Sequence, residues 1–238
     1  LKASLSAAGV NVAAVHATKS QPTGVALIWV DRSGQNSIVV ASGANHALLP
    51  SDVGAMRQSF RGAQFVLFQF ETPLETVEQA LVAAREEGAR TILDPAPARP
   101  LSREFLAAVD ILTPNESEAC HLLGRPVARV TQADAPALAR GLQALGPRTV
   151  ILKLGEQGCF CLDGDRSLNA PGFSVQARDT TAAGDTFNAG LAVALAEGKP
   201  MENALRFANA AAAISVTRLG AQASVPTRRE VEDFLAGH

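Results

Sequence analysis

The chain has 238 residues, of which 47% are hydrophobic and 18% charged, and its net charge is −2. That balance suits a folded domain with a sizeable core and excludes a disordered chain, while the near-neutral charge gives no electrostatic grip on nucleic acid or an anionic membrane. No apolar run approaches the ~20 residues that span a bilayer, and no signal peptide is visible.

Leu1, Leu5 and Ala8 have helical spacing and Gly9 reads as a helix stop, so the chain opens inside a helix. Residues 24–30 (GVALIWV) and 37–41 (SIVVA) are β-rich and flank DRSGQN, which predicts a hairpin with a turn at those polar residues. The pattern then changes to alternating strands and helices. Residues 64–70 form a near-continuous apolar strand, expected to be parallel and buried on both faces. Leu74, Val77 and Leu81 share a helical face. Strands follow at 90–94 and 109–113, and Ala137, Leu138, Leu142 and Leu145 mark a helix leading into a strand at 149–154. Shorter strands are expected at 158–162 and 173–177, as antiparallel additions at the sheet edge. Residues 184–219 are Ala-rich and helical, broken at Gly198-Lys199-Pro200, and a last helix covers 228–235. The expected fold is a three-layer α/β sandwich with a mostly parallel central sheet. In such sheets ligands bind outside the carboxyl ends of the strands.

Cys120, Cys159 and Cys161 have no framework spacing, which suggests free thiols in a reducing, cytoplasmic compartment. Cys159 and Cys161 alternate within a strand and are read as facing opposite sides; no second motif makes them a metal site. His16, His46, His121 and His238 are scattered without ligand spacing.

The stretch richest in chemistry is DTTAAGDTFN, residues 179–188, which follows a strand and opens a helix. It places Ala183, Gly184 and Asp185 at a helix N-terminus, where free amides and the helix dipole favour an anion. Gly184 lets the backbone approach that anion closely. Asp185 there is able to accept a proton from an attacking hydroxyl. From spacing alone, Asp179 as an N-cap and Asp185 as a first-turn acid explain the segment equally well.

DTTAAGDTFNAG resembles the signature of the ribokinase-like carbohydrate kinases. LDPAPAR (93–99), TPNESEA (113–119), LKLGEQG (152–158) and VTRLGAQASVP (216–226) resemble further segments of that family in the same order, so the likeness covers essentially the whole chain. The resemblance implies ATP-dependent phosphorylation of a sugar, D-ribose to D-ribose 5-phosphate, in the cytoplasm. Asp185 matches the catalytic base, and the amides of Ala182, Ala183 and Gly184 match the anion hole. Asn115 and Glu118 match an N-x-x-E motif tied to the nucleotide phosphates and Mg²⁺; capping of the helix after Pro114 is the alternative for this pair. Lys153, Leu154, Gly155, Glu156, Gln157 and Gly158 match the nucleotide-binding strand and turn, and Asn209 a position beside the adenine. Asp179, Thr181, Ser215, Arg218, Gly220 and Ser224 match a K⁺ site. Glu71 matches a sugar-contacting carboxylate. Asp94, at a strand end, has no assigned role.

The family's opening strand with its sugar-binding Asp and the following G-G-K-G-A-N segment have no counterpart here. The chain is therefore expected to be one kinase domain over 1–238, N-terminally incomplete, with a partial β lid at about 23–43. A homodimer through the lid is the family's habit, and half a lid puts it in question. The expected partners are ATP or ADP and a small sugar, with neither nucleic acid nor membrane. Two alternatives stay open: a kinase of another sugar or nucleoside in the same family, and a truncated nucleotide-binding chain without significant catalysis.

Overall fold

The computed structural model describes residues 1–30 and 36–238, so most of the expected DRSGQN turn lies outside the described residues. The chain divides into two compact units, Leu1–Ala63 with Phe70–Ala89, and Gln64–Gln69 with Arg90–His238.

In the first unit, α1 (Lys2–Ala7) ends before Gly9, whose φ of 82° is the left-handed conformation expected of a helix stop. Strands β1 (Val25–Val30) and β2 (Asn36–Ala41) pair antiparallel, with Leu27 opposite Val39. The expected hairpin pairing is present, and Val25, Leu27, Trp29, Val39 and Val40 are exposed on it. Helices α2 (Pro50–Met56) and α3 (Leu74–Glu86) pack together, with Val53, Val77, Leu81 and Ala84 buried. The contact is tied at its rim by Arg57, which pairs with Glu86 at 2.8 Å and Glu87 at 2.6 Å.

The second unit is a six-stranded sheet in the order β3 (Phe65–Phe68), β4 (Arg90–Leu93), β5 (Ile111–Leu112), β6 (Thr149–Lys153), β7 (Cys159–Asp163), β8 (Arg166–Ala170). The pairings from β3 to β6 are parallel, and those of β6 with β7 and of β7 with β8 are antiparallel. β3 is an edge strand of this sheet and Leu67 is exposed, so the expectation of burial on both faces was wrong; an edge strand lacks a neighbour to cover it. The expected strand at 173–177 does not form. The second antiparallel addition is β8, and beyond it Pro171 has no N–H to continue the ladder.

Helices cover both faces of the sheet. Ile92, Ile111, Ile151, Cys159 and Cys161 form one core cluster with Leu191, Ala194, Leu205 and Ala208 of α7 (Ala183–Ala196) and α8 (Met201–Ser215). Side chains repeat every second residue along a strand, so Cys159 and Cys161 share this face, and their reading as opposed is corrected. Burial pushes both thiols up to about 12, which makes them inert. Gly190 is what lets the two helices meet: a Cβ there would lie 3.2 Å from Ala208 Cα. On the other side lie α4 (Arg103–Ala107), α5 (Glu116–Leu122) and α6 (Ala135–Gln143), the last against β6 and β7 with Leu138 and Leu142 buried. The C-terminal helix α9 (Arg228–Ala236) packs on α8. No helix among the described residues is long and apolar enough to cross a membrane.

This topology sends the carboxyl ends of β4, β5 and β6 to one edge of the sheet. Asp94, Asn115 and Lys153 stand there, immediately beyond or at the end of each strand.

Candidate active site

Helix α7 starts abruptly. Ala182, its N-cap, has φ 58° and is the one non-glycine residue with positive φ among the described residues. A left-handed alanine costs roughly 1–2 kcal/mol, and such strain clusters at functional sites. Its effect is to turn the chain so that the first amides of the helix point outward. The Ala183 amide donates to the Thr180 carbonyl at 3.2 Å. Among the described residues the amides of Ala182, Gly184 and Asp185 have no acceptor. Of the amides expected to meet an anion, Ala182 and Gly184 are thus unpaired, Asp185 joins them, and Ala183 is engaged with Thr180.

Three carboxylates and one cation gather beside this terminus. Lys153 Nζ lies 2.6 Å from Asp94 Oδ2, and Asn188 Nδ2 of α7 donates to the same oxygen at 2.7 Å. Gly184 completes the packing, because a Cβ on it would stand 3.2 Å from Lys153 Nζ. Solvent reaches Asp185, yet desolvation in its recess and repulsion from Asp94 raise its carboxyl above the ordinary range, against the pull of Lys153. Burial likewise raises Glu118, helped by Asp94 and opposed by Lys153.

For Asp185 this has a measurable sign. A carboxyl that is raised on folding binds its proton more tightly in the folded chain. Its contribution to stability is present below the ordinary aspartate value of 3.8 and is lost as pH rises through the folded value. Asp185→Asn should therefore melt at a higher temperature than wild type at neutral pH. The gap should close as pH falls below that ordinary value, which thermal melts across pH will show.

The N-x-x-E pair serves as a helix cap. Asn115 Oδ1 accepts from the Glu118 amide at 2.9 Å, and the Asn115 amide donates to Glu118 Oε2 at 2.7 Å, a reciprocal capping box at the start of α5. The capping alternative is thus observed. It does not exhaust the pair, since a carboxylate oxygen accepts more than one donor.

Beside the α7 terminus runs an elongated cleft of about 610 Å³. One end is polar, with Lys153, Gly155, Thr180, Ala183 and Gly184; the other is apolar, with Phe173, Val175, Ala177, Ala212 and Val216. Phe187 and Asn209 also line it. The Gly155–Gln157 turn closes through the Leu154 amide on the Gly158 carbonyl at 2.8 Å. Gly155, Glu156 and Gly158 face the cleft; Leu154 is buried in the core, and the Gln157 side chain donates to the Val130 carbonyl at 3.2 Å. Asn209 is buried and spends its amide on the Ala170 and Pro171 carbonyls, both at 3.1 Å, which fixes the loop forming one wall. A second recess of about 500 Å³, lined by Asn115, Ser117, Arg129, Lys153 and Gly184, adjoins the same terminus. Phe173 and Val175 were not foreseen, because a strand was expected at 173–177; Val216, the C-cap of α8, was not foreseen either.

The residues matched to a K⁺ site come together in part. Asp179 Oδ1 accepts from the Thr181 amide at 2.9 Å and Oδ2 from the Gly220 amide at 2.8 Å, joining the segment before α7 to the loop after α8. These hydrogen bonds hold the Asp179 carboxyl below its ordinary range. Ser215 and Ser224 are buried, with their hydroxyls donating to Ala212 and Ala221 carbonyls. Arg218 instead reaches α9, pairing with Glu230 at 2.5 Å. Among the described residues no cluster of three or more His, Cys, Asp or Glu side chains is built to hold a metal. A carboxylate with backbone carbonyls is, however, a hard oxygen set that suits a monovalent ion. Glu71 belongs to the first unit, exposed on the bend that follows β3.

Negative charge spreading over a transferring phosphoryl group would be met at this helix start by unpaired amides and an ammonium, with a carboxylate at hand for the acceptor's proton. The layered sheet, the terminus at its carboxyl edge and the half-apolar cleft together define a nucleotide-dependent phosphotransferase. Residues 1–228 match the pfkB family of carbohydrate kinases, and the chain belongs to that family. It is 44% identical over 227 residues to a ribokinase of Haemophilus influenzae, covering 95% of this chain and 74% of that one. A deoxyribokinase of Salmonella typhi is 34% identical over 229 residues, covering 96% and 74%. The solved structure of Arabidopsis thaliana ribokinase complexed with ribose and ATP superposes with a TM-score of 0.84 at 36% identity, covering 95% of this chain and 73% of that one.

Proposed function

We propose that this carbohydrate kinase transfers the γ-phosphoryl group of ATP to the 5-hydroxyl of D-ribose, releasing ADP and D-ribose 5-phosphate. The observation that carries the reading is the start of α7, where Gly184 lines the polar end of the cleft with Lys153, and Asp185 and unpaired amides stand in the same first turn. The purine fits the apolar end of the cleft, between Phe173 and Val216, and the phosphates extend to Gly155, Lys153 and Gly184. Asp185 takes the proton of the sugar hydroxyl as its oxygen attacks the γ-phosphorus, and the bond to the ADP oxygen breaks. Gly184 and Asp185 amides and the Lys153 ammonium stabilise the charge that develops on the transferred oxygens.

Asn115 and Glu118 are the residues suited to a Mg²⁺ ion brought with ATP, whose chemistry would be to neutralise phosphate charge. Asp179, with the Thr181 carbonyl and the 215–224 loop, is suited to K⁺, which would hold the α7 turn in place from behind. Glu71 would contact the sugar, and the 23–43 hairpin would act as part of a lid over it, its exposed apolar face being the surface for a lid-to-lid homodimer. Cytoplasmic ribose use is consistent with all of this.

The test is ADP release measured with ribose, deoxyribose and no sugar. Ribose-dependent release that exceeds deoxyribose at equal concentration supports the reading, as does a several-fold gain when K⁺ replaces a bulky organic cation. Release favouring deoxyribose would move the assignment to the deoxyribokinase side of the family. ATP binding with no turnover on any sugar would contradict it.

A further inference from the structure

We propose that Asp94 is a positioning residue for phosphoryl transfer, whose Oδ2 clamps the Lys153 ammonium and the Asn188 amide together and so fixes the cation at the mouth of α7. This rests on the kinase reading above and adds a residue to it. The clamp is drawn from separate parts of the chain: Asp94 follows β4, Lys153 ends β6 and Asn188 lies on the first turns of α7. Both contacts are short, 2.6 and 2.7 Å, and converge on one oxygen. Side chains of Lys153 and Asp94 are only 13% and 11% exposed, so water does little to screen the pair.

A purely structural carboxylate would be expected to have all its acceptors filled. Asp94 Oδ1 is instead buried and receives no N–H or hydroxyl among the described residues, with only the Glu118 carboxyl within hydrogen-bonding reach of Asp94, and Asn188 Oδ1 is buried without a partner. Buried unmet acceptors are unfavourable, and they ask for a role beyond core packing. What the arrangement secures is Lys153. Its ammonium borders both the 610 Å³ cleft and the 500 Å³ recess, and lies against Gly184. A lysine side chain free of such a partner would sample many rotamers. Held here, its charge stands where the transferring oxygens pass and need not be reorganised at the moment of reaction. Asn188 locks the same carboxylate to α7, so the ammonium and the Asp185 carboxylate keep a constant relation through the helix that carries both Asn188 and Asp185.

Two measurements test this. The first is amine acylation with an N-hydroxysuccinimide acetate, read by peptide mass spectrometry, with Lys2, Lys19 and Lys199 as internal references. Lys153 should react about tenfold more slowly than Lys199 in the wild-type chain and should approach it in Asp94→Ala. The second is steady-state kinetics. Asp94→Ala should lower kcat about 100-fold with KM for ATP changed by less than about threefold. Asp94→Asn, which keeps an acceptor oxygen in place, should recover most of that loss. In a Lys153→Met background the Asp94 substitution should cost nothing further, because its effect runs through the lysine. If Asp94→Ala does not fold, the few-fold loss in Asp94→Asn and its disappearance in Lys153→Met make the same comparison. Additive losses, equal losses in Ala and Asn, or unchanged Lys153 labelling would overturn the proposal while leaving a wild-type enzyme active on ribose. A wild-type chain silent on every sugar would instead overturn the kinase reading, and the positioning role of Asp94 with it.

Discussion

Asp185→Asn lowers kcat by about 10²–10⁴-fold while the affinity for ATP stays within about threefold. The split follows from where the carboxylate stands. It lies in the first turn of α7, next to Gly184 at the polar end of the cleft and away from the apolar end proposed for the base. Asparagine has the same shape and keeps the backbone amide, so the anion-binding terminus survives. It lacks the one property the reaction requires of that side chain, a basic oxygen for the hydroxyl proton. The substituted chain should also remain well folded, since the raised carboxyl is a charge the fold tolerates at a cost. Single-turnover kinetics beside calorimetric ATP titration would separate the effects. An equal loss of turnover and of affinity would mean that Asp185 grips nucleotide and does not act as the base.

The second large effect is expected at Gly158. Its φ of 88° and ψ of −128° belong to a region open essentially to glycine alone. A Cβ there would lie 2.2 Å from the Ala170 carbonyl oxygen and 2.4 Å from the Gly172 amide nitrogen, both backbone atoms that cannot swing aside. Gly158→Ala therefore strains the turn and pushes it off the 170–172 loop at once. Strain alone of about 1–3 kcal/mol corresponds to a melting temperature lower by roughly 2–12 °C for a chain of this size. The turn and the loop are two walls of the cleft proposed to take the nucleotide, so on that reading KM for ATP rises together with the loss of stability. By contrast, Gly155→Ala meets nothing within 4 Å and is strained only through its φ of 55°. Melting curves and KM for the two variants side by side check the difference; equal behaviour would mean the walls are not in contact as described.

How much of this was legible beforehand depended on sequence distance. The α7 terminus was readable because glycine, carboxylate and helix start are consecutive in DTTAAGDTFN, and local rules of helix termini govern them. The layered sheet was readable for the same reason, from alternating apolar runs. The Asp94 clamp was not, since its hydrogen bonds join residues 59 and 94 positions apart in the chain, and only the folded topology brings two strand ends and a helix together. The expected strand at 173–177 failed on a different ground. F-S-V-Q-A alternates with a strand's period, but here the apolar members line a cleft, Phe173 also packing against the core, and periodicity cannot tell those surfaces from a strand's buried face. β3 misled through its apolar run: composition reports which residues a strand carries and is silent on whether that strand has a neighbour on each side.

The most direct test is a structure with ADP, Mg²⁺ and aluminium fluoride, a mimic of the phosphoryl group in flight. The account places the fluoride on the Gly184 and Asp185 amides, in reach of Lys153 Nζ, with the Asp185 carboxylate on its far side from ADP. A nucleotide seated in the cleft with its fluoride remote from the α7 start, or Asp185 turned away from it, would contradict the phosphoryl-transfer geometry from which everything else is built.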